Sequence, residues 1–240
     1  DMSAIEAAIG KQTKAVIINS PNNPTGVVYS ESVVSALGEL LARKEAELGT
    51  QIYLISDEPY RRILFDGLSP VPLFQHYHNS IVVTSHSKDL ALPGERIGYA
   101  ALNPESDNHD ELMAGFIHCN RILGFVNAPA LMQRAVTNVQ HVTVAVEQYE
   151  RKRDMLYEEL SGMGYDVVRP QGAFYFFPKS PVDDDVQFVR ELLSFLVLAV
   201  PGRGFGAPGY FRISYCVDDR TLEMSLEGFR RAAEMYGLRS

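Results

Sequence analysis

The sequence predicts an α/β protein, with a mainly parallel sheet and its helices first and a smaller α+β domain after it. Short apolar stretches alternate with polar loops and amphipathic helices through the first hundred or so residues. Several of those stretches end in clusters of polar, chemistry-bearing side chains. Beyond Asn108 the pattern changes to long helices and then to short mixed strands. Strand, loop and helix in alternation imply parallel strands buried on both faces. Sheets of that kind bind ligands outside the carboxyl ends of their strands.

Taken in order, Ser3 to Glu6 have capping-box spacing ahead of a short helix ending by Gly10. Residues 15–18 read as a strand apolar on both faces. The stretch 19–26, NSPNNPTG, carries two prolines and a glycine, which exclude helix and impose a fixed loop. Over 30–48, Val33, Val34, Leu37, Leu40 and Leu41 line one side of an amphipathic helix. Residues 52–55 form a second buried strand, ending at Ser56-Asp57-Glu58-Pro59-Tyr60. Residues 81–84 form a third, ending at 85–88, and 97–102 supply a fourth.

Helical pattern returns at 111–121 and 128–162, the second stretch broken or bent before Tyr149 and placed as a bridge. Strands follow at 166–169 and 173–177, then a helix at 185–195, a strand at 196–200, a glycine-rich loop at 201–209, a strand at 211–215 and a helix at 220–238. The expected organisation is a sheet domain over 1–127, a connecting helical segment over 128–164 and a small α+β domain over 165–240.

With 240 residues the chain can bury a good core. A net charge of -8 and a pI near 5.3 argue against a nucleic-acid partner, which calls for a basic surface. Cys119 and Cys216 are the only cysteines and are far apart, so neither a disulfide framework nor a zinc site is indicated. No apolar run is long enough to cross a bilayer, and the N-terminus lacks a signal pattern. A cytoplasmic protein, with no membrane partner, is expected.

The segment 81–102, IVVTSHSKDLALPGERIGYAAL, concentrates the chemistry. Lys88 stands at the mouth of an apolar strand, where burial can lower an amine's pKa and make it a nucleophile or base. Ser85, Ser87 and Arg96 can bind a small anion, Arg through a planar fork that matches phosphate oxygens. A covalent lysine beside an anion site suits a phosphate-bearing carbonyl compound. By itself the segment also reads as a surface loop.

The clusters NSPNNPTG, DEPY (57–60), SHSKDLALPGERIG (85–98), GAFYFFP (172–178) and FRISY (211–215) together resemble the pyridoxal 5'-phosphate (PLP) dependent aminotransferases of class I and II, fold type I. They occur in the family's order across nearly the whole chain. The resemblance implies a PLP-binding large domain and a small α+β domain, with an amino group moved from an amino acid to a 2-oxo acid. It implies that Lys88 holds PLP as a Schiff base and that Asp57 pairs with the ring nitrogen. Tyr60 and Asn23 would hydrogen-bond the 3'-oxygen, and Ser85, Ser87 and Arg96 would hold the phosphate. Arg212, with Asn23, would bind the substrate carboxylate. A homodimer is implied for the full-length protein.

Each residue also has a plainer reading. Lys88 could be a solvated amine, Asp57 a helix cap, Asn23 a loop former and Arg96 the partner of Glu95. Arg212 could be an edge charge, and Gly202, Gly204 and Gly206 a phosphate cradle or simply a tight turn. His76 and His78 form an HxH pair without an evident third metal ligand, and His86 has no assigned role. The residues at 174–177 alternate across a strand and suit core packing. Within PLP chemistry a β-lyase is the alternative activity, and outside it a non-catalytic fragment or assembly partner.

Family members carry a segment before the position where this sequence begins. The expectation is therefore a chain lacking the N-terminal part of the large domain, with an open apolar sheet edge, an uncovered sheet face and half of its phosphate site, inactive or weakly active by itself.

Overall fold

A computed structural model describes residues 1–238 and divides them into two compact units. The first contains residues 1–20, 29–62 and 69–144; the second contains 21–28, 63–68 and 145–240. The division falls at 144/145, so the helix at 146–162 packs with the second unit. Two short segments from the first half of the chain, one of them most of the NSPNNPTG loop, pack there too.

The first unit is built on four strands, β1 (Ala15–Asn19), β2 (Tyr53–Asp57), β3 (Ser80–Ser85) and β4 (Gly98–Leu102), in the order β1-β2-β3-β4. β1, β2 and β3 are parallel and β4 returns antiparallel to β3. Helix α1 (Met2–Ala8) precedes the sheet, and α2 (Glu31–Leu48) crosses from β1 to β2. The cap of α1 is Asp1, whose carboxylate accepts from the Ser3 and Ala4 amides, so Ser3 is not the cap. Ser30 caps α2 through the Val33 amide, and Gly49 ends it at a φ of 62°.

Val34, Leu37, Leu40 and Leu41 of α2 bury against Leu54 and Val82 on one sheet face. Val33, expected among them, is largely exposed. A Cβ at Gly38 would sit 2.3 Å from the His76 carbonyl oxygen, so glycine lets the turn at Leu73–Gln75 close on the helix.

Burial of these strands on both faces, the general expectation for a parallel sheet, is not met within this chain, whereas the uncovered sheet face expected of a chain lacking the N-terminal part is observed. Ile17 of β1 is 70% exposed, and Val83 and Tyr99 are also open. Apolar runs such as AVII and IVVT carry no polar alternation to reveal that only one face packs within this chain. The expected open apolar edge is observed at β1. Helix α3 (His86–Asp89) is a single turn after β3. α4 (His109–Ile122) and α5 (Ala130–Thr137) follow, and α6 (Val146–Gly162) starts only after a non-helical stretch. That stretch is the break expected before Tyr149.

The second unit contains α6, β5 (Tyr175–Phe176), α7 (Asp185–Ser194), β6 (Val200–Pro201), β7 (Phe211–Ser214) and α8 (Asp219–Met235). Its sheet is antiparallel, in the order β5-β7-β6. The strand expected at 166–169 does not form, and the one at 196–200 shrinks to β6. Leu196 instead takes a φ of 62°, which a strand excludes. An aromatic core of Tyr165, Phe176, Phe188, Phe211, Tyr215 and Phe229 holds the unit, and the Tyr165 hydroxyl donates to the Phe229 carbonyl.

Arg153 of α6 has a side chain with 0% exposure. Its guanidinium binds Asp66 through two bonds of 2.8 and 3.0 Å and donates to the Pro170 carbonyl. It also meets Glu150 and Asp154 and stacks on Phe65. This group ties residues 63–68 to α6. Arg153→Ala is expected to cost roughly 3 kcal/mol in urea denaturation, because it strands carboxylates and opens a cavity. The Arg153 hydrogen bonds hold the Asp66 carboxyl below the usual carboxylate range, against a smaller effect of burial. That contribution is complete above the unfolded value of about 4 and is lost as pH falls through the lowered folded value. The acid limb of the stability profile should therefore flatten in Arg153→Ala.

Candidate active site

The parallel register sets the carboxyl edge of the first sheet. Asn19 lies opposite Asp57, and Asp57 lies opposite Val83. Period-2 alternation then places Asn19, Asp57 and Ser85 on one face, opposite the face that packs on α2. The Asn19 side-chain amide donates to the Asp57 carbonyl at 2.8 Å and to its carboxylate at 3.3 Å. Beyond Asp57 the chain stays tied to β3, as the Glu58 amide donates to Val83 and the Thr84 hydroxyl donates to the Glu58 carbonyl. Tyr60 follows, 3% exposed.

Burial raises the Asp57 carboxyl above its ordinary value, and among the described residues no cationic side chain offsets this. Burial also raises Glu58, ahead of the opposing effects of Ser56 and Arg61. A half-buried carboxylate without a cation fits a ligand that brings a positive charge, and a protonated ring nitrogen is such a group.

Lys88 is half-buried on α3, three residues past the end of β3. Ser85 occupies the cap position of α3 without a side-chain capping bond, and no hydrogen bond engages the Ser85 or Ser87 hydroxyl among the described residues. Arg96 is exposed, at a φ of 50°, and donates one Nη1 bond to the Pro93 carbonyl. It does not pair with Glu95. A Cβ at Gly98 would fall 2.4 Å from the Thr84 carbonyl oxygen, so only glycine lets β4 run this close beside Ser85. Two hydroxyls and a guanidinium are thus open to an anion. This set, with Asp57 and Lys88, fits the ring nitrogen, carbonyl carbon and phosphate of PLP.

The second unit holds the other two sequence-predicted residues. Arg212 on β7 donates from Nη1 to Asn23 Oδ1 at 2.9 Å. Its guanidinium lies between two rings, 4.7 Å from the centroid of Tyr175 and 4.8 Å from that of Phe205. Its Nε is buried and has no hydrogen-bond partner among the described residues. A buried donor left unpaired costs about 1–3 kcal/mol, so the arrangement suits a carboxylate ligand better than an edge charge.

Sequence reasoning did not pick out Asn19, Tyr175 or Phe205. Asn19 had a signal, as a polar residue closing an apolar strand. Tyr175 and Phe205 had none beyond their aromatic character. The glycines at 202–206 form a tight turn: the Gly202 amide donates to the Tyr210 carbonyl, and a Cβ there would lie 2.3 Å from the Ala207 oxygen. Its Arg203 pairs with Asp185. His76 and His78 approach Glu31 and Asp107, each at 3.5 Å, and among the described residues no cluster of three or more His, Cys, Asp or Glu could hold a metal.

The first unit thus carries a half-buried lysine after β3 and a half-buried carboxylate at the parallel sheet's carboxyl edge, and the second unit carries an arginine whose buried Nε is unpaired among the described residues. Residues 1–229 match the model of the family "Aminotransferase class I and II", and the chain belongs to that family. It is 35% identical over 239 residues to the probable aspartate/prephenate aminotransferase of Thermus aquaticus, covering 98% of this chain and 60% of that protein. An aminotransferase structure from Eubacterium rectale superposes with a TM-score of 0.95 at 43% identity, over 98% of this chain and 59% of the other. An aspartate aminotransferase variant from Thermus thermophilus gives 0.82 at 34% identity, over 97% and 63%. The chain thus spans about 60% of the length of the relatives it matches.

Asp57→Asn is expected to raise the thermal midpoint of the PLP-free protein at neutral pH. The raised folded pKa means that the ionised carboxylate costs stability above the unfolded value of about 4. The gain should shrink as pH is lowered toward 4, as calorimetry across that range would show.

Proposed function

We propose that the protein containing this chain is a PLP-dependent aminotransferase that moves the amino group of an α-amino acid to a 2-oxo acid. The observation that carries the reading is the sheet edge. A half-buried Asp57 bound by Asn19 lies in register with β3, and Lys88 follows β3 by three residues.

PLP, when bound, supplies an electron sink for the charge left at a substrate α-carbon. Asp57 would pair with the ring nitrogen and favour its protonated form, which would supply the positive charge of that sink. Lys88 Nζ would hold PLP covalently and would serve as the base that carries the proton on and off the substrate α-carbon. By the family resemblance, Tyr60 and Asn23 would donate to the 3'-oxygen, and Ser85, Ser87 and Arg96 would hold the phosphate. Arg212 binds the substrate α-carboxylate, with Asn23 and the two rings restricting its fork, which orients the α-carbon for deprotonation.

The relatives' printed names include aspartate and prephenate as substrates. A second copy of the chain is the partner we propose. Helix α4 has no buried residue, and Ile117, Ile122 and Phe125 are exposed on and beside it. The two cysteines are free and exposed, which suits a reducing compartment.

In a single-turnover half-reaction, the PLP-loaded protein should yield one equivalent of 2-oxo acid per site. Release of thiol, or of ammonia with pyruvate, would instead mean elimination. Lys88→Ala should abolish the borohydride-fixed pyridoxyl adduct and slow the half-reaction by at least about 100-fold. Arg212→Lys, which keeps the charge and loses the fork, should raise KM for the amino acid by about 10- to 100-fold with a smaller effect on kcat.

A further inference from the structure

The motif SHSKD places a histidine and an aspartate on either side of Lys88 in the single turn α3, and neither has a role in the reaction outlined above. His86 and Asp89 are both polar and both only 6% exposed. The imidazole Nδ1 lies 3.4 Å from Asp89 Oδ2 in hydrogen-bond geometry. Oδ1 is 3.3 Å away but poorly aligned, and it has no other partner among the described residues. Burying a carboxylate is costly without a donor, so the pair is a unit. With a carboxylate oxygen as acceptor, this contact is the hydrogen bond of the Nδ1–H tautomer of the ring.

The same two residues anchor the backbone on both sides of Lys88. The His86 amide donates to Ile97 and its carbonyl accepts from Leu92, closing the loop that carries Ala91 and Arg96. Both of those are non-glycine residues in the left-handed region, at φ 54° and 50°. Each costs roughly 1–2 kcal/mol, so the loop must be held by its surroundings. The Asp89 carbonyl accepts from the Val144 amide at 2.8 Å and from the Thr143 hydroxyl at 3.1 Å. The His86 ring also lines a polar cavity of about 420 Å³ with Asn120, Asn127, Gln133 and Thr137, and lies 6.2 Å from the Tyr99 ring.

We propose that His86 and Asp89 are positioning residues for Lys88. Their side-chain bond clamps α3 from one end to the other, and the clamp fixes the backbone from which the reactive amine projects. The proposal rests on the reading of Lys88 as the PLP-linking residue, but the clamp itself is testable without PLP.

The test uses His86→Phe, which keeps a ring, Asp89→Ala, and Asp89→Asn, whose amide oxygen can still accept from Nδ1. Two readouts on the PLP-free protein are hydrogen exchange at Ser87–Leu90 and the rate at which an amine-selective reagent labels Lys88, followed by peptide mass spectrometry. Expected are tenfold or greater acceleration of exchange in His86→Phe and Asp89→Ala, an altered Lys88 labelling rate, and substantial recovery of both in Asp89→Asn. In the half-reaction the first two variants should lower kcat with KM for the amino acid nearly unchanged. Exchange and labelling within twofold of the parent in His86→Phe and Asp89→Ala would overturn the clamp. A borohydride-fixed adduct that survives Lys88→Ala would sink the PLP reading instead, and the exchange result would still decide the clamp.

Discussion

The hydrogen bonds from the Asn19 side chain to Asp57 are possible only because β1 and β2 run parallel with those two residues opposite each other. Shifting the pairing by one residue would turn Asp57 toward α2 and put a carboxylate into the Leu37–Leu41 core. The buried face of the sheet enforces the register, because Leu54 and Val82 must meet α2. Packing on one face thereby fixes chemistry on the other. The same register brings β3 to an end beside Asp57 and starts α3, with Lys88, from that point.

Asp57 and Arg212 differ in how their charges are accommodated. Asp57 is an anion partly removed from water without a cation, so its carboxyl is raised and a cationic ligand relieves it. Arg212 keeps its charge and is held by Asn23 and by two aromatic faces, each contact worth about 0.5–2 kcal/mol, with one donor left over. Arg153 shows a contrasting case, a buried guanidinium whose two terminal nitrogens bond Asp66, Glu150 and the Pro170 carbonyl. Its Nε, close to Asp154, lacks a hydrogen bond among the described residues just as that of Arg212 does. Arg153 is surrounded by carboxylates, whereas among the described residues Arg212 has a neutral oxygen and two rings as its neighbours.

The segment 85–98 combines tight backbone packing with strain. Gly98 permits the close approach of β4 to Ser85, while Ala91 and Arg96 hold left-handed conformations without the freedom of glycine. Such positions persist where surrounding bonds determine them, and here those bonds run through His86 and Asp89.

The sequence by itself determined the alternation that makes an α/β sheet, the helix from Ser30 to Leu48, the break before Tyr149 and the motifs that carry the family resemblance. These are legible because local chain chemistry decides them: apolar period, capping side chains, and Pro and Gly in turns. Only the tertiary structure decided that β1 leaves Ile17 exposed, that the segment containing Asn23 packs with the second unit, and that no strand forms at 166–169. It also decided that Asn19 serves Asp57 and that Tyr175 and Phe205 flank Arg212. Those facts depend on which residues, tens to nearly two hundred positions apart, come to lie opposite one another. A local pattern gives a side chain its period and polarity; packing of distant segments chooses its neighbour.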